Sequence, residues 1–322
     1  MNVLITGCAG FIGFHLTSKI LNKYNVVGID NLNNYYDPNI KKNRLKILKK
    51  EKNFKFYKSD ITNLISLKRI INKHKIKYII HLAAQAGVRY SIDHPEKYVS
   101  SNLVGFFNVL EVARLFKVKH LIFASTSSVY GDNKKFPLKE SYDTDKPLSF
   151  YAATKKSNEV MAHAYSNIYK LPCTGLRFFT VYGPMGRPDM SLFKFSNAMI
   201  KNKKIELYNK GNHYRDFTYI DDIVISILKL LNNPSNSQIP YDIFNIGSSK
   251  PYYLKKFLSL IEENLSKKAK IKFLKIQQGD VHKTHADINK LKEKIKYSPK
   301  TNIKTGIKLF IDWYKTYYKL KN

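Results

Sequence analysis

Two cysteines in 322 residues, Cys8 and Cys173, exclude a disulfide framework and offer no metal-ligand spacing. No metal is expected, and a reduced, cytoplasmic setting fits best. Acidic residues are few, 24 against 56 basic ones, for a formal charge of +32. Arginine is scarcer still, seven of those 56. The lysines spread along the whole chain with no aromatic-interleaved stripe, so a nucleic-acid partner is not expected. No apolar run nears the roughly 18 residues of a membrane span. The opening, MNVLITG, reads as a strand without a basic or long apolar leader, so neither a signal peptide nor a membrane partner is expected. There is no internal repeat and no low-complexity linker.

What is present is a globular composition, 43% hydrophobic and 13% aromatic, on a chain long enough for one large core or two lobes. Apolar runs at 2–6, 25–29, 54–57, 77–82, 118–124 and 173–179 read as strands. Helical patterns near 12–23, 40–50, 62–74, 96–116 and 150–169 lie between them. Continuous apolar strands with helical crossovers predict a parallel sheet covered on both faces. Beyond 180 the rhythm loosens, and YGPMGRPDM reads as an exposed loop. Later elements are helices near 190–202, 221–232, 252–265 and 303–319, and strands near 205–208, 215–219 and 241–246. The predicted fold is α/β, a Rossmann-type doubly wound parallel sheet with a smaller C-terminal substrate-binding lobe. Residues 1–180 form the dinucleotide domain, with 214–248 returning to it, and 181–213 with 249–322 form the lobe.

The stretch LITGCAGFIG sets Gly7, Gly10 and Gly13 between the first strand and first helix. Such glycines permit a tight turn and close approach of the backbone to a pyrophosphate, and the helix N-terminus favours the anion. Phe11 and Ile12 lie inside this loop. Asp30 ends the second strand, where a carboxylate accepts the ribose hydroxyls of an adenosine. With Asn31 beside it and no adjacent arginine, NAD is preferred over NADP. Asp60 and Ile61 end the third strand and can border the adenine. Leu82, Ala83 and Ala84 end the fourth, small enough to let the backbone pass beside a cofactor.

Five Tyr-x-x-x-Lys pairs occur, at 130/134, 142/146, 151/155, 252/256 and 317/321. Only Tyr151/Lys155 opens a helix just after a strand end bearing hydroxyls, at Thr126, Ser127 and Ser128. One helical turn puts both side chains on one face. A free tyrosine has a pKa of about 10, too high for a base at neutral pH. A lysine ammonium and a nicotinamide cation would both favour the phenolate, and Thr126 can hold the reacting oxygen.

With these residues in place the chain resembles the extended short-chain dehydrogenases/reductases, specifically the nucleotide-sugar epimerases, and among them the UDP-glucuronate 4-epimerases. The resemblance runs over nearly the whole chain, through TGCAGFIGFHL, DNLNNYYD, HLAAQAGVRYSI, ASTSSVYG, YAATKKSNE, LRFFTVYGPMGRPDM, RDFTYIDDIV and GDVHKTHAD. It implies a redox-neutral inversion at C4 through a transient 4-keto sugar, with Tyr151 as base. That intermediate is a β-keto acid, and Thr126, Ser127, Ser128 and Thr180 would grip its carboxylate. Related decarboxylases carry a glutamate where Ser128 stands, and related dehydratases an acidic pair at Ser127–Ser128. By the same resemblance Arg89, Arg187 and Arg215 would bind pyrophosphate or carboxylate, and Asp280 the uridine ribose. Asn102 would orient the nicotinamide side, and Phe179 and Tyr182 would flank nicotinamide or sugar. Met185 stands where relatives often have an aromatic residue. A homodimer through the helices near 96–116 and 150–169 is implied. Other readings are a UDP-glucose or UDP-N-acetylglucosamine epimerase, a UDP-glucuronate decarboxylase, a noncatalytic NAD-binding scaffold and a nucleic-acid-binding protein.

Overall fold

In β1 (Asn2–Thr6) Val3 and Ile5 face one apolar core and Leu4 the other, all without solvent exposure. A strand with no polar face belongs in the middle of a parallel sheet. The structure, a computed structural model, describes residues 1–277 and 279–320. After β1 the chain alternates through α1 (Phe11–Ile20), β2 (Asn25–Asp30), α2 (Pro38–Leu48), β3 (Phe54–Lys58), α3 (Leu64–His74) and β4 (Tyr78–His81). Two short helices, α4 (Tyr90–Asp93) and α5 (Pro95–Tyr98), and a π-helical stretch Val99–Val104 lead into α6 (Gly105–Leu115). Next come β5 (His120–Thr126), α7 (Phe150–Tyr169) and β6 (Cys173–Phe178). The remainder adds β7 (Thr180–Tyr182), α8 (Ser191–Ile200), β8 (Lys204–Tyr208), β9 (Tyr214–Tyr219), α9 (Ile220–Leu231) and β10 (Tyr241–Ile246). It ends with β11 (Pro251–Tyr253), α10 (Leu254–Leu265), β12 (Lys270–Leu274), α11 (Asn289–Ile295) and α12 (Ile303–Tyr317).

Seven strands form one parallel sheet in the order β10-β6-β5-β4-β1-β2-β3. The chain runs outward from β1 to β3, then crosses back to β4 on the other side of β1. That reversal opens a crevice at the carboxyl ends of β1 and β4, where such sheets take ligands. A three-stranded sheet, β11-β9-β7, and a two-stranded one, β12-β8, form the rest. Within the stretch 214–248, β10 joins the large sheet and β9 joins the three-stranded one. Among the described residues no helix is long and apolar enough to cross a membrane.

Side-chain caps start several helices. Asp37 accepts from Asn39 N at 2.9 Å, with Pro38 in the first turn. Asn63 caps α3 through Ser66 N at 2.9 Å, and Ser149 caps α7 through Ala152 N at 3.1 Å. The single helix expected near 96–116 is instead broken into α5, the π stretch and α6. Pro95 starts a fresh turn, and the Asn102 carbonyl accepts from Asn158 Nδ2 at 2.7 Å, competing with the regular helical ladder. Strands β7, β11 and β12 and helix α11 are too short or too lysine-rich to show a period. YGPMGRPDM is half-buried rather than exposed, tied down by Arg44 Nη2 on the Met185 and Gly186 carbonyls and by His15 Nε2 to the Pro184 carbonyl.

Candidate active site

A cleft of about 910 Å³ runs along the carboxyl edge of the large sheet and on to β8 and Arg215. Gly7 sits at its floor with φ +73°, a left-handed conformation suited to glycine. A Cβ there would lie 2.7 Å from Ala83 N and 2.9 Å from the Leu82 carbonyl carbon. The ends of β1 and β4 therefore touch, and glycine alone permits it. A Cβ on Gly13 would strike the Gly7 carbonyl. Gly10 precedes α1, which no side chain caps and whose first turn holds no acid. Its N–H groups and positive end are left for an anion, so this cradle fits a dinucleotide pyrophosphate. Phe11 and Ile12 line the same wall.

Asp30 is buried beside the loop, its oxygens accepting from Ala9 N at 3.1 Å and Leu32 N at 2.8 Å. Burial raises its pKa, partly offset by those N–H groups and by the charges of Lys41 and Arg44. Each oxygen keeps a lone pair for a ribose hydroxyl. Asn31, Ile61, Leu82, Ala83 and Ala84 line the cleft. Asp60 does not: its oxygens accept from Asn31 Nδ2 at 2.7 Å and from Thr62 N and Oγ1 at 2.9 and 2.8 Å. It braces Asn31 and closes the turn after β3. Burial opposes the charge on Asp60, but these hydrogen bonds hold its pKa below the usual range. Asn102 likewise stands behind the wall, clamping the Gln85 main chain by bonds of 2.8 and 3.0 Å.

Thr126 ends β5 and its hydroxyl accepts from Ser128 N at 3.2 Å, which turns Ser127 and Ser128 into the cleft. Tyr151 lies in the first turn of α7, packed edge-on against Tyr98 with ring centroids 6.1 Å apart. One turn on, Lys155 is 2% exposed and donates to the Ala124 carbonyl at 2.9 Å. Lys134, Lys146 and Lys256, from three other Tyr-x-x-x-Lys pairs, are exposed, and Lys321 lies outside the described residues. Beneath Lys155, Glu159 takes Arg177 Nε at 3.0 Å and Nη2 at 2.9 Å in a buried pair.

The electrostatics correct one expectation. Burial raises the Tyr151 pKa, and the Thr126 hydroxyl and Arg187 charge only partly offset it. Lys155 is itself pushed down to about 8 by burial, against the pull of Glu159. Its ammonium leans on the Ala124 carbonyl, so the protein's own groups do not hold the phenol low.

On the substrate side Phe179 and Thr180 line the cleft, while Tyr182 turns into the core against Phe217, Tyr219 and Phe257. Arg187 lines the cleft with its fork on Asp189, Nε to Oδ1 at 3.0 Å, and Tyr35 donates to the same carboxylate at 3.2 Å. Arg89 and Asp280, expected as separate ligand contacts, pair with each other at 3.1 Å. Arg215 reaches Asp280 at 4.0 Å and donates to the Tyr214 and His282 carbonyls. Sequence reading missed Tyr35, Lys41, Arg44 and Asp189. Asp189 was legible as a carboxylate two residues after Arg187, and Lys41 and Arg44 as cations three apart on one helix face.

A family model described as GDP-mannose 4,6 dehydratase matches residues 4–310. The chain is 47% identical over 334 residues to Protein CapI of Staphylococcus aureus, covering 99% of this chain and 100% of that one. It is 42% identical over 335 residues to the "Probable UDP-glucuronate 4-epimerase" of Rhizobium meliloti, covering 99% and 98%. The crystal structure of UDP-glucuronic acid 4-epimerase from Bacillus cereus, in complex with UDP-glucuronic acid and NAD, superposes with TM-score 0.93 at 34% identity, covering 99% of this chain and 100% of that one. A UDP-glucose 4-epimerase from Thermotoga maritima, with UDP-glucose, gives TM-score 0.90 at 31% identity, with coverage of 99% and 100%.

Proposed function

The chain belongs to the GDP-mannose 4,6-dehydratase family of extended short-chain dehydrogenases/reductases, and from that premise we propose that it is an NAD-dependent UDP-glucuronate 4-epimerase. It is an isomerase that interconverts UDP-glucuronate and UDP-galacturonate. The observation that carries the acidic-sugar reading is the hydroxyl cluster in one cleft with Tyr151: Thr126, Ser127, Ser128 and Thr180.

The glycine loop and the start of α1 hold the pyrophosphate of NAD, and Asp30 its adenosine ribose. Bound there, NAD supplies a carbon that accepts a hydride and returns it. Tyr151 removes the proton from the C4 hydroxyl, and Thr126 holds that oxygen against it. Because burial raises the phenol's pKa, it needs positive charge nearby to act as a base. Arg187 and the Thr126 hydroxyl offset part of that rise, and the remainder would have to come from the positive charge of NAD held beside the phenol.

The 4-keto acid must keep its carbon dioxide. Hydroxyl donors on the carboxylate hold the breaking bond out of line with the carbonyl π system. Arg187 enters as a neutral pair with Asp189, so the grip rests on hydroxyls. The turn Ser127–Tyr130 bears no acid, unlike the glutamate or acidic pair of decarboxylating and dehydrating relatives. The T. maritima likeness keeps a neutral UDP-hexose as the second reading.

Residues 1–180, completed by β10, form the cofactor unit, and 181–213 with 249–322 hold the UDP-sugar. The protein acts in the cytoplasm as a homodimer, joined through the exposed apolar side chains Val104 and Phe107 on one side and Val160 and Ile168 on α7. Light scattering tests the dimer. Incubation with UDP-glucuronate, followed by NMR, tests the activity. Both C4 epimers should appear without carbon dioxide or net NADH, whereas a UDP-pentose would make the chain a decarboxylase.

A further inference from the structure

Three loops meet at Tyr35, which stands in the segment after β2. Its ring packs on Tyr90 with centroids 4.9 Å apart. Its hydroxyl lies so close to Gly87 that a Cβ there would overlap it, and Gly87 has φ +105°, a backbone suited to glycine. Gly87 and Tyr90 belong to the segment after β4, one bank of the crevice at the carboxyl ends of β1 and β4. The same hydroxyl donates to Asp189 Oδ2 at 3.2 Å, and Asp189 holds the Arg187 fork. All five residues line the cleft.

Asp189 lies in the segment 183–190, and that segment is fixed to the other bank. His15 of α1 binds the Pro184 carbonyl at 2.8 Å. Arg44 donates both to the Ala9 carbonyl of the glycine loop, at 2.8 Å, and to the Met185 carbonyl. The segment is therefore strung from bank to bank across the crevice in which Gly7, Gly10 and Gly13 make room for a pyrophosphate. Its two attachments differ. Arg44 is fully buried and ties three carbonyls at once. On the far side the tie is one hydrogen bond between half-buried partners, Tyr35 and Asp189. Burial and the Asp189 charge push the Tyr35 phenol up to about 12, so it remains a donor across the neutral range. That single bond can open while the Arg44 anchor stays in place.

We propose that Tyr35 is the latch of a strap over the cofactor: its bond to Asp189 closes the segment 183–190 across the crevice and slows the escape of a bound dinucleotide. This rests on the NAD reading above. An isomerase that regenerates its NAD within each turnover has no need to exchange it, so a strap costs it no rate. Enzyme loaded with radiolabelled NAD and chased with excess unlabelled NAD tests the latch, on wild type, Tyr35→Phe, Asp189→Ala and the double variant. Tyr35→Phe keeps the ring on Tyr90 and removes only the hydroxyl. It should quicken release about tenfold, and Asp189→Ala should quicken it at least as much. The double variant should release NAD no faster than Asp189→Ala alone, because both changes remove the same bond. Equal release from wild type and Tyr35→Phe would overturn the latch. So would accelerations that multiply in the double variant, which would mean that each residue holds the ligand separately. Failure of wild type to bind NAD at all would defeat the cofactor reading, and the latch with it.

Discussion

Replacing Lys155 by methionine should stabilise the folded chain while ending turnover. Methionine keeps the buried stem and removes the charge. Burial pushes the lysine from 10.5 down to about 8. At ~1.4 kcal/mol per pKa unit, holding that ammonium inside costs ~3 kcal/mol wherever both folded and unfolded chains are protonated. The variant also leaves the Ala124 carbonyl without its 2.9 Å donor, a loss of ~1–2 kcal/mol. The net gain at pH 7 is then ~1–2 kcal/mol. Its pH dependence has a definite sign. Below about 8 the folded wild type carries the full penalty. As pH rises toward 10.5 the folded lysine is neutral, and the unfolded one progressively loses its proton, so the penalty fades. Urea denaturation of both proteins between pH 6 and 10 reads the difference directly, because the other titrating groups cancel. A variant less stable than wild type at pH 7, or an advantage unchanged to pH 10, would refute the claim that the lysine is kept for chemistry at a cost in stability.

Tyr151→Phe should lower turnover at least a hundredfold while purified protein still carries NAD; turnover within tenfold of wild type would reject the phenol as base. Gly7→Ala forces a Cβ to 2.7 Å from Ala83 N at a φ of +73°. Cofactor content after purification should fall sharply, and full retention would contradict the account of the switch point. Glu159→Gln leaves the Arg177 guanidinium buried and half-paired, so unfolding free energy should drop by ~3–5 kcal/mol; a change under about 1 kcal/mol would mean the pair is far more hydrated than its burial implies.

The first half of the fold was legible because each element carries its own signal. Apolar strands ending at Gly7, Asp30 and Thr126 have local patterns, and the Tyr151–Lys155 spacing lies within one turn of one helix. Its distinction from the four other pairs lay in context, and the burial of Lys155 against exposed Lys134, Lys146 and Lys256 expresses that context physically. What was not legible depends on contacts between distant segments. Arg89 meets Asp280 across 191 residues and Arg44 meets the Met185 carbonyl across 141, and no spacing rule reports such pairs. Tyr182 was read toward the site, but it packs on Phe217, Tyr219 and Phe257, partners 35 to 75 residues away in the chain. The raised pKa of Tyr151 follows from desolvation, which a linear sequence does not display. Asp60 and Asn102 were placed at the right edge, yet both brace the cleft from behind.

In the proposed reaction one cleft takes hydrogen from C4 of a sugar and puts it back on either face. Incubating the enzyme with UDP-glucuronate deuterated at C4, and following the label by NMR, tests this most directly. Both epimers should carry deuterium at C4, with none in the solvent. Loss of the label to water, or its appearance in a decarboxylated pentose, would contradict it.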